Sequence, residues 1–106
     1  MPAPTRSRLT QRALADLLSY NRHTGVFTWR VYRSRTAKPG NVAGTPNLDG
    51  SVIITIGGRP YSANRLAWLY MTGEWPPGRL TYVDQNPANN RWANIMPESE
   101  RHSQSA

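Results

Sequence analysis

Turn-forming residues divide this sequence of 106 residues into short segments. Breaks fall at Gly25, Pro39-Gly40, Asp49-Gly50, Gly57-Gly58 and Pro76-Pro77-Gly78, because glycine permits backbone angles that other residues avoid and proline cannot continue a helix. No apolar run approaches the roughly 18 residues that a membrane span requires. The segments show helical and strand-like patterns but no βαβ order, which predicts a small single α+β domain with antiparallel strands.

Two segments have the apolar spacing of a helix. Thr10 is a favoured type of N-cap residue, and leucines at positions 14, 17 and 18 recur at helical spacing, which predicts a helix over residues 10–20. Residues 63–71 place Leu66 and Leu69 on one face and are followed by Gly73. This pattern predicts a second helix that ends at the glycine.

Strand-like segments are rich in β-branched and aromatic side chains. The clearest one covers residues 51–56, and Gly57-Gly58 with a return over 59–61 predicts a β-hairpin. Further strands are predicted over residues 26–31, 42–47 and 79–83, and a short final helix is predicted over 90–95.

The two ends of the sequence differ from its middle. Residues 1–8 are Pro-rich and basic, and residues 97–106 are polar, which predicts a disordered arm and a flexible tail around one domain over 9–96. No apolar segment follows the basic N-terminus, so no secretory signal is predicted. The absence of cysteine excludes disulfides and favours a reducing, cytoplasmic location.

The formal net charge of +7 comes almost entirely from arginine. Only Lys38 among the 13 basic residues is lysine, and residues 1–38 hold the whole excess, because residues 39–106 are neutral. Guanidinium groups match phosphate oxygens and guanine edges better than an ammonium group does. The composition therefore favours a nucleic acid as the partner.

The second half of the sequence carries a more specific pattern. Residues 59–95 contain the segments WPPG and NRWANI, and upstream lie TGVFTWR and GTPNLDGSVIITIGGRPY. Together they resemble small, free-standing HNH endonucleases of the phage type over roughly residues 9–96. Members of this family are metal-dependent DNA nucleases with a ββα-metal motif. The resemblance implies that this motif is present here in degenerate form. It also implies that the protein is phage-encoded and works inside a bacterial host cell.

The residues at the family's catalytic positions differ from those of a working nuclease. The family's Asp-His pair, a metal ligand and a general base, falls on Thr81 and Tyr82. The asparagine that braces the histidine corresponds to Asn90, and the second metal ligand corresponds to Asn94. A further histidine, usual before Arg-Leu-Ala-Trp, is replaced by Asn64.

These substitutions predict a protein without nuclease activity. Thr81 is a neutral hydroxyl, and Tyr82 has an ordinary pKa near 10, which makes it a weak base at neutral pH. Asn94 alone offers a neutral oxygen and cannot neutralise the charge of Mg²⁺. We therefore expect no catalytic residues, no metal and no cofactor.

What remains after the loss of the catalytic pair is the DNA-binding apparatus. The resemblance implies backbone contacts to double-stranded DNA, with no role for a membrane. The candidate contacts lie on and after the first predicted strand, in the hairpin and in the N-terminal region: Arg30, Arg33, Arg35, Lys38, Arg59, Arg6, Arg8 and Arg12. A catalytically inactive DNA-binding protein is thus the leading hypothesis, with its oligomeric state left open.

Two alternatives are kept. In the first, the protein is a phage effector that binds and inhibits a host protein such as a DNA-handling enzyme, with Tyr82 as a contact residue. In the second, residual metal-dependent DNA nicking depends on Asp84, which lies two residues after Tyr82 and could share its strand face.

Overall fold

The computed structural model describes residues 9–98 of the protein. The helices and strands within them are short and follow the chain in this order: α1 (Gln11–Leu17), β1 (Leu18–Asn21), β2 (Val26–Trp29), β3 (Thr45–Pro46), β4 (Val52–Ile56), β5 (Arg59–Ser62), α2 (Ala63–Thr72), β6 (Leu80–Tyr82), a 3-10 helix (Trp92–Asn94) and β7 (Ile95–Pro97). Antiparallel pairing joins β1 to β2, β4 to both β3 and β5, and β6 to β7. The predicted α+β class is confirmed.

Helix α1 is shorter than the sequence predicts. Thr10 caps it as expected, since its hydroxyl accepts a hydrogen bond from the Ala13 amide at 3.2 Å. The helix ends at Leu17, and the prediction of helix over 18–20 is wrong. Leu18 and Tyr20 are buried while Ser19 and Asn21 are exposed, and this period of two belongs to a strand that pairs with β2. Leu18 fits both the helical spacing of the leucines before it and the alternating burial of a strand.

The turn of the first hairpin covers residues 22–25 and contains the predicted break at Gly25. The Gly25 amide donates to the Asn21 carbonyl at 2.7 Å, and Gly25 has a φ of +79°. Strand β2 ends at Trp29 rather than at residue 31. The predicted strand over 42–47 is reduced to Thr45–Pro46, with one isolated bridge between Thr28 and Val42.

The central hairpin and α2 agree with the sequence. Strands β4 and β5 flank the turn at Gly57-Gly58, with Ile54 opposite Tyr61. Helix α2 follows β5 directly and ends at Gly73, which has the left-handed φ of +86° and donates its amide to the Leu69 carbonyl. The buried face of α2 packs into the core beside α1 and β4.

The predicted final helix over 90–95 is wrong. Residues 92–94 form a single 3-10 turn, and Ile95 then enters β7 opposite Tyr82 on β6. A helix this short has an unfavourable nucleus in isolation, whereas strand pairing buries Ile95 in the core. Pro97 is part of β7, opposite Leu80.

The core is formed by side chains from every part of the domain. The largest fully buried ones are Phe27, Leu14, Leu18, Ile54, Leu66 and Leu69. Among the helices, neither α1 nor α2 is long and apolar enough to cross a lipid bilayer. The predicted arm over 1–8 and the tail beyond Glu98 lie outside the described residues.

The main chain at Gly25 lies close to the main chain of Asn90 and Arg91, and substitution of this glycine tests that approach. A Cβ atom at Gly25 would overlap the main chain of Asn90 and Arg91, whereas one at Gly58, with a similar φ of +81°, would meet open space. We expect Gly25→Ala to lower the free energy of unfolding by more than about 3 kcal/mol, because left-handed strain and a backbone clash combine. Gly58→Ala carries the strain alone and should cost only about 1 kcal/mol. Equal losses for the two variants in urea titrations would contradict the close approach.

Candidate functional site

The loop between β6 and the 3-10 helix is held by the side chain of Asn94. This residue is buried, and its Nδ2 donates to Asp84 Oδ1 at 2.9 Å and to the Asn89 carbonyl at 2.8 Å. Its Oδ1 accepts from the Asp84 amide at 3.0 Å. The amide group that the resemblance assigns to a metal is therefore engaged on both its nitrogen and its oxygen in holding the loop.

Asp84 acts as an acceptor for the same loop. Its carboxylate accepts from Asn89 Nδ2 and from the Asn86 amide, each at 2.8 Å, in addition to Asn94. These hydrogen bonds, that of Asn89 first, lower the pKa of Asp84 below its ordinary value. The next residue, Gln85, has a φ of +64°, which fits a tight turn. The carboxylate thus closes a turn and does not line the cleft that contains Tyr82.

Asn90 joins this loop to the first hairpin. It is buried, its carbonyl accepts from the Tyr20 hydroxyl, and its Oδ1 accepts from the Tyr82 hydroxyl at 3.3 Å. Burial raises the pKa of Tyr20 to about 12, so this phenol is a donor at neutral pH. The resemblance assigns Asn90 to the asparagine that braces a histidine. Here Asn90 accepts a hydrogen bond from the tyrosine at the position of that histidine.

A cleft of about 260 Å³ contains the position of the general base, and we call it the Tyr82 cleft. Leu80 and Tyr82 line it, whereas Thr81, between them on β6, points to the other face because side chains alternate along a strand. The complete lining is Asp49, Ser51, Ser62, Asn64, Arg65, Gly78, Arg79, Leu80, Tyr82 and Pro87. The structure therefore brings Asn64 and Tyr82 together and separates Thr81 from them.

Tyr82 is a neutral phenol at this site. Burial first, and the charge of Asp49 second, raise the pKa of Tyr82 above 10.0, and a hydrogen bond with the Asn64 side chain opposes this only in part. Asn64 Oδ1 accepts from the Ser62 hydroxyl at 2.8 Å, which leaves its amide nitrogen to donate to the phenol. The proton of Tyr82 is used in the hydrogen bond to Asn90, so this residue is not available as a base.

The residues in the Tyr82 cleft do not fit the divalent ion of the HNH nucleases. Among residues 9–98, no group of three or more His, Cys, Asp or Glu side chains lies close enough to hold a metal. Asp49 is the one carboxylate among the described residues that line the cleft, and its Oδ1 accepts from the amide and hydroxyl of Ser51. Asn94 is engaged elsewhere, as described above.

A second cleft, of about 290 Å³, adjoins the first, and we call it the arginine cleft. Its lining is Arg59, Pro60, Tyr61, Ser62, Arg65 and Trp75, so the two clefts share Ser62 and Arg65. The rings of Tyr61 and Trp75 stack with centroids 5.8 Å apart, and the Arg65 guanidinium lies 5.7 Å from the centre of the Trp75 ring. Of these residues, sequence reasoning selected only Arg59 as a contact.

The segment that follows β2, residues 30–40, is a basic loop whose cations have different surroundings. Arg30 Nη1 donates to the Ala15 carbonyl in α1, and the Arg33 guanidinium lies 5.2 Å from the centre of the Trp29 ring. Arg35 and Lys38 are exposed, as is Arg12 on α1. Arg6 and Arg8 lie outside the described residues. The loop therefore presents several cations, while Arg30 is tied to α1.

One comparison with known proteins gives a match. Residues 61–103 match the family model described as HNH endonuclease. The matched region begins in β5 and includes α2, Tyr82, Asn90 and Asn94. It supports an HNH-like domain and a function related to nucleic acids. No curated protein and no solved structure matches the chain.

The loop carboxylate predicts a specific pH dependence of stability. Because folding lowers the pKa of Asp84, its stabilising contribution is complete above the ordinary value of 3.8 and is lost as the pH falls further, through the folded-state pKa. Asp84→Asn should therefore be less stable than the wild type at pH 6, since it places a second donor against Asn89. The difference should shrink below about pH 4. Urea titrations over this range measure it, and a difference that does not depend on pH would contradict the role of the carboxylate.

Proposed function

We propose that this protein binds double-stranded DNA through the phosphate backbone and does not cleave it. The observation that carries the absence of cleavage is Tyr82, whose protonated hydroxyl is held between Asn64 and Asn90 at the position of the family's general base. Hydrolysis of a phosphodiester in this family needs a group that takes a proton from water and a metal that stabilises the charge. Neither requirement is met by the side chains of the Tyr82 cleft.

DNA binding is supported by the family match and by the distribution of cations. The sequence carries a net charge of +7, and exposed arginines occur along the described chain. In the basic loop, Arg33 is stacked on Trp29, which reduces the side-chain entropy lost when it contacts a phosphate. Arg33, Arg35 and Lys38, together with Arg12, are the proposed contacts from the first third of the described chain. Arg6 and Arg8 extend this proposal into the N-terminal arm.

The proposal predicts binding that depends strongly on salt, without nicking. In gel-shift titrations with plain duplex DNA, affinity should fall about a thousandfold between about 50 and 200 mM salt if six phosphates are contacted. Supercoiled plasmid incubated with Mg²⁺ or Mn²⁺ should remain intact. Absence of salt-sensitive binding would refute the DNA proposal. Nicking that disappears in Asp84→Ala would refute the inactive state and favour the alternative of residual activity.

A protein partner is the second candidate function. The observation that favours it is a set of exposed apolar side chains: Tyr32, Val42, Leu48 and Val83. In this candidate function the protein is an effector, and these side chains contact a host enzyme that it inhibits. Tyr82 remains a proposed contact, although its hydroxyl is engaged with Asn90.

A pull-down separates this candidate from DNA binding. Immobilised protein is incubated with bacterial lysate after nuclease treatment, and a matched column carries Leu48→Ser with Val83→Ser. We expect a DNA-binding protein to retain no discrete band, because nucleic acid that bridges to other proteins has been digested. A band that the wild type retains and the double variant loses would support the protein partner instead.

A further inference from the structure

Three arginines from the electrically neutral part of the sequence meet at the two adjoining clefts. Arg59 lines the arginine cleft, Arg79 lines the Tyr82 cleft, and Arg65 lines both. All three are exposed. Among the described residues that line these clefts, the opposing charge is Asp49, which lines the Tyr82 cleft alone. The arginine cleft is therefore the more positive of the two.

We propose that the two clefts form one groove for a DNA strand, in which Arg59 and Arg65 bind a backbone phosphate and Asp49 keeps the strand away from Tyr82. This inference rests on the proposed DNA binding and names the surface and chemical group that carry it. It adds Arg65 to the contacts and assigns Asp49 an opposing role.

Arg65 is positioned for this task by aromatic side chains. Its guanidinium lies against the Trp75 ring, which is stacked on Tyr61. The Trp75 indole is itself fixed, because its Nε1 donates to the Leu9 carbonyl at 3.1 Å. A guanidinium that lies on an aromatic ring keeps its N–H groups at the ring edge, where they can donate to phosphate oxygens. The arginine is thus partly ordered before DNA arrives.

The Tyr61 hydroxyl in the arginine cleft suits the same ligand, because hydroxyls are common donors to phosphate in protein–DNA contacts. The Ser62 hydroxyl is already used, since it donates to Asn64 Oδ1. The cleft volume of about 290 Å³ is near the small end of ligand pockets, about 300 Å³. It accommodates a phosphate with part of its sugar and not an extended base stack.

Asp49 gives the groove a direction. Hydrogen bonds from the Ser51 hydroxyl and amide lower the pKa of Asp49, so the carboxylate is ionised at neutral pH. Its charge is the second cause, after burial, of the raised pKa of Tyr82. A phosphodiester is repelled by this charge and attracted by Arg59, which lines the arginine cleft alone, and by Arg65, which lines both clefts. The strand therefore binds away from the position at which a nuclease would cut it.

The test uses opposite charge changes at the two ends of the groove. Binding of a fluorescently labelled duplex is followed by anisotropy at two salt concentrations for the wild type, Arg59→Ala, Arg65→Ala and Asp49→Asn. Each arginine variant should lose about fivefold to tenfold in affinity, and its salt slope should fall by about 1. Asp49→Asn keeps an oxygen for the Ser51 donors and should bind about threefold more tightly.

Matched controls separate the groove from net charge. Arg22→Ala removes one positive charge in the first turn, and Asp16→Asn removes one negative charge on α1, both at exposed positions outside the clefts. We expect each control to stay within about twofold of the wild type, because exposed charges outside the clefts are screened by solvent and salt. Arg65→Lys keeps the charge without the planar fork and should fall between the wild type and Arg65→Ala.

The outcomes distinguish the groove from the proposed function. If the wild type does not bind duplex DNA, the proposed function fails and the groove fails with it. If the wild type binds and the groove variants behave as their controls do, DNA binding stands and the groove is overturned. Equal affinity for a mononucleotide and for the duplex would overturn the assignment to a DNA strand. Circular dichroism melting of each variant confirms that a loss of binding is not a loss of folding.

Discussion

Tyr20 donates its hydroxyl hydrogen to the main-chain oxygen of Asn90 across 70 residues of sequence, and both groups are buried. The side chain of the same asparagine accepts from Tyr82, and its main chain lies directly against Gly25. A buried polar group left without a partner costs about 1–3 kcal/mol. The first hairpin, the loop after β6 and the β6–β7 pair are therefore held in one arrangement by a single residue, and each of them depends on the other two for its position.

This arrangement explains how the catalytic position can change while the domain keeps its fold. In the family that the sequence resembles, the asparagine braces a histidine. Here the Tyr82 hydroxyl donates to Asn90 and receives a hydrogen bond from Asn64, so two amides and a phenol satisfy one another. Asn94 and Asp84 form a second group of mutual hydrogen bonds, in the loop after β6. The side chains at the family's general-base and second metal-ligand positions, Tyr82 and Asn94, thus make hydrogen bonds within the domain.

The sequence predicted those elements whose signals are local. The turn at Gly57-Gly58 and the end of α2 at Gly73 follow from backbone conformations that glycine favours, and both are confirmed. Strands β1 and β7 were not predicted, because each is defined by its pairing with another strand and not by its own side-chain pattern. Leu18 fits a helix until β2 is present, and Ile95 fits a helix until Tyr82 lies opposite it. Tertiary pairing overrode weak local propensity at both places.

The same distinction applies to the candidate site. The resemblance placed Asn64, Tyr82 and Asn90 in one region, and the structure brings them into contact. It gave no reason to group Asp49 and Arg65, because their shared cleft depends on how the β3–β4 loop folds over the start of α2. The helical pattern predicts that Arg65 faces away from Leu66 and Leu69. It does not predict which residues lie beside the Arg65 side chain.

The charge counted along the sequence and the charge located on the surface consequently point to different regions of the protein. The sequence places the whole excess of +7 in residues 1–38, yet Arg30 is tied to a helix carbonyl. Residues 39–106 are neutral in sum, but they contribute the three arginines of the two clefts, and three of the four acidic residues in their described part do not line these clefts. Because screening limits a charge to a range of about 8–10 Å at physiological salt, a phosphate responds to the groups beside it and not to the sum over a segment. In the proposed groove, the part of the chain that is neutral in sum therefore supplies the phosphate contacts.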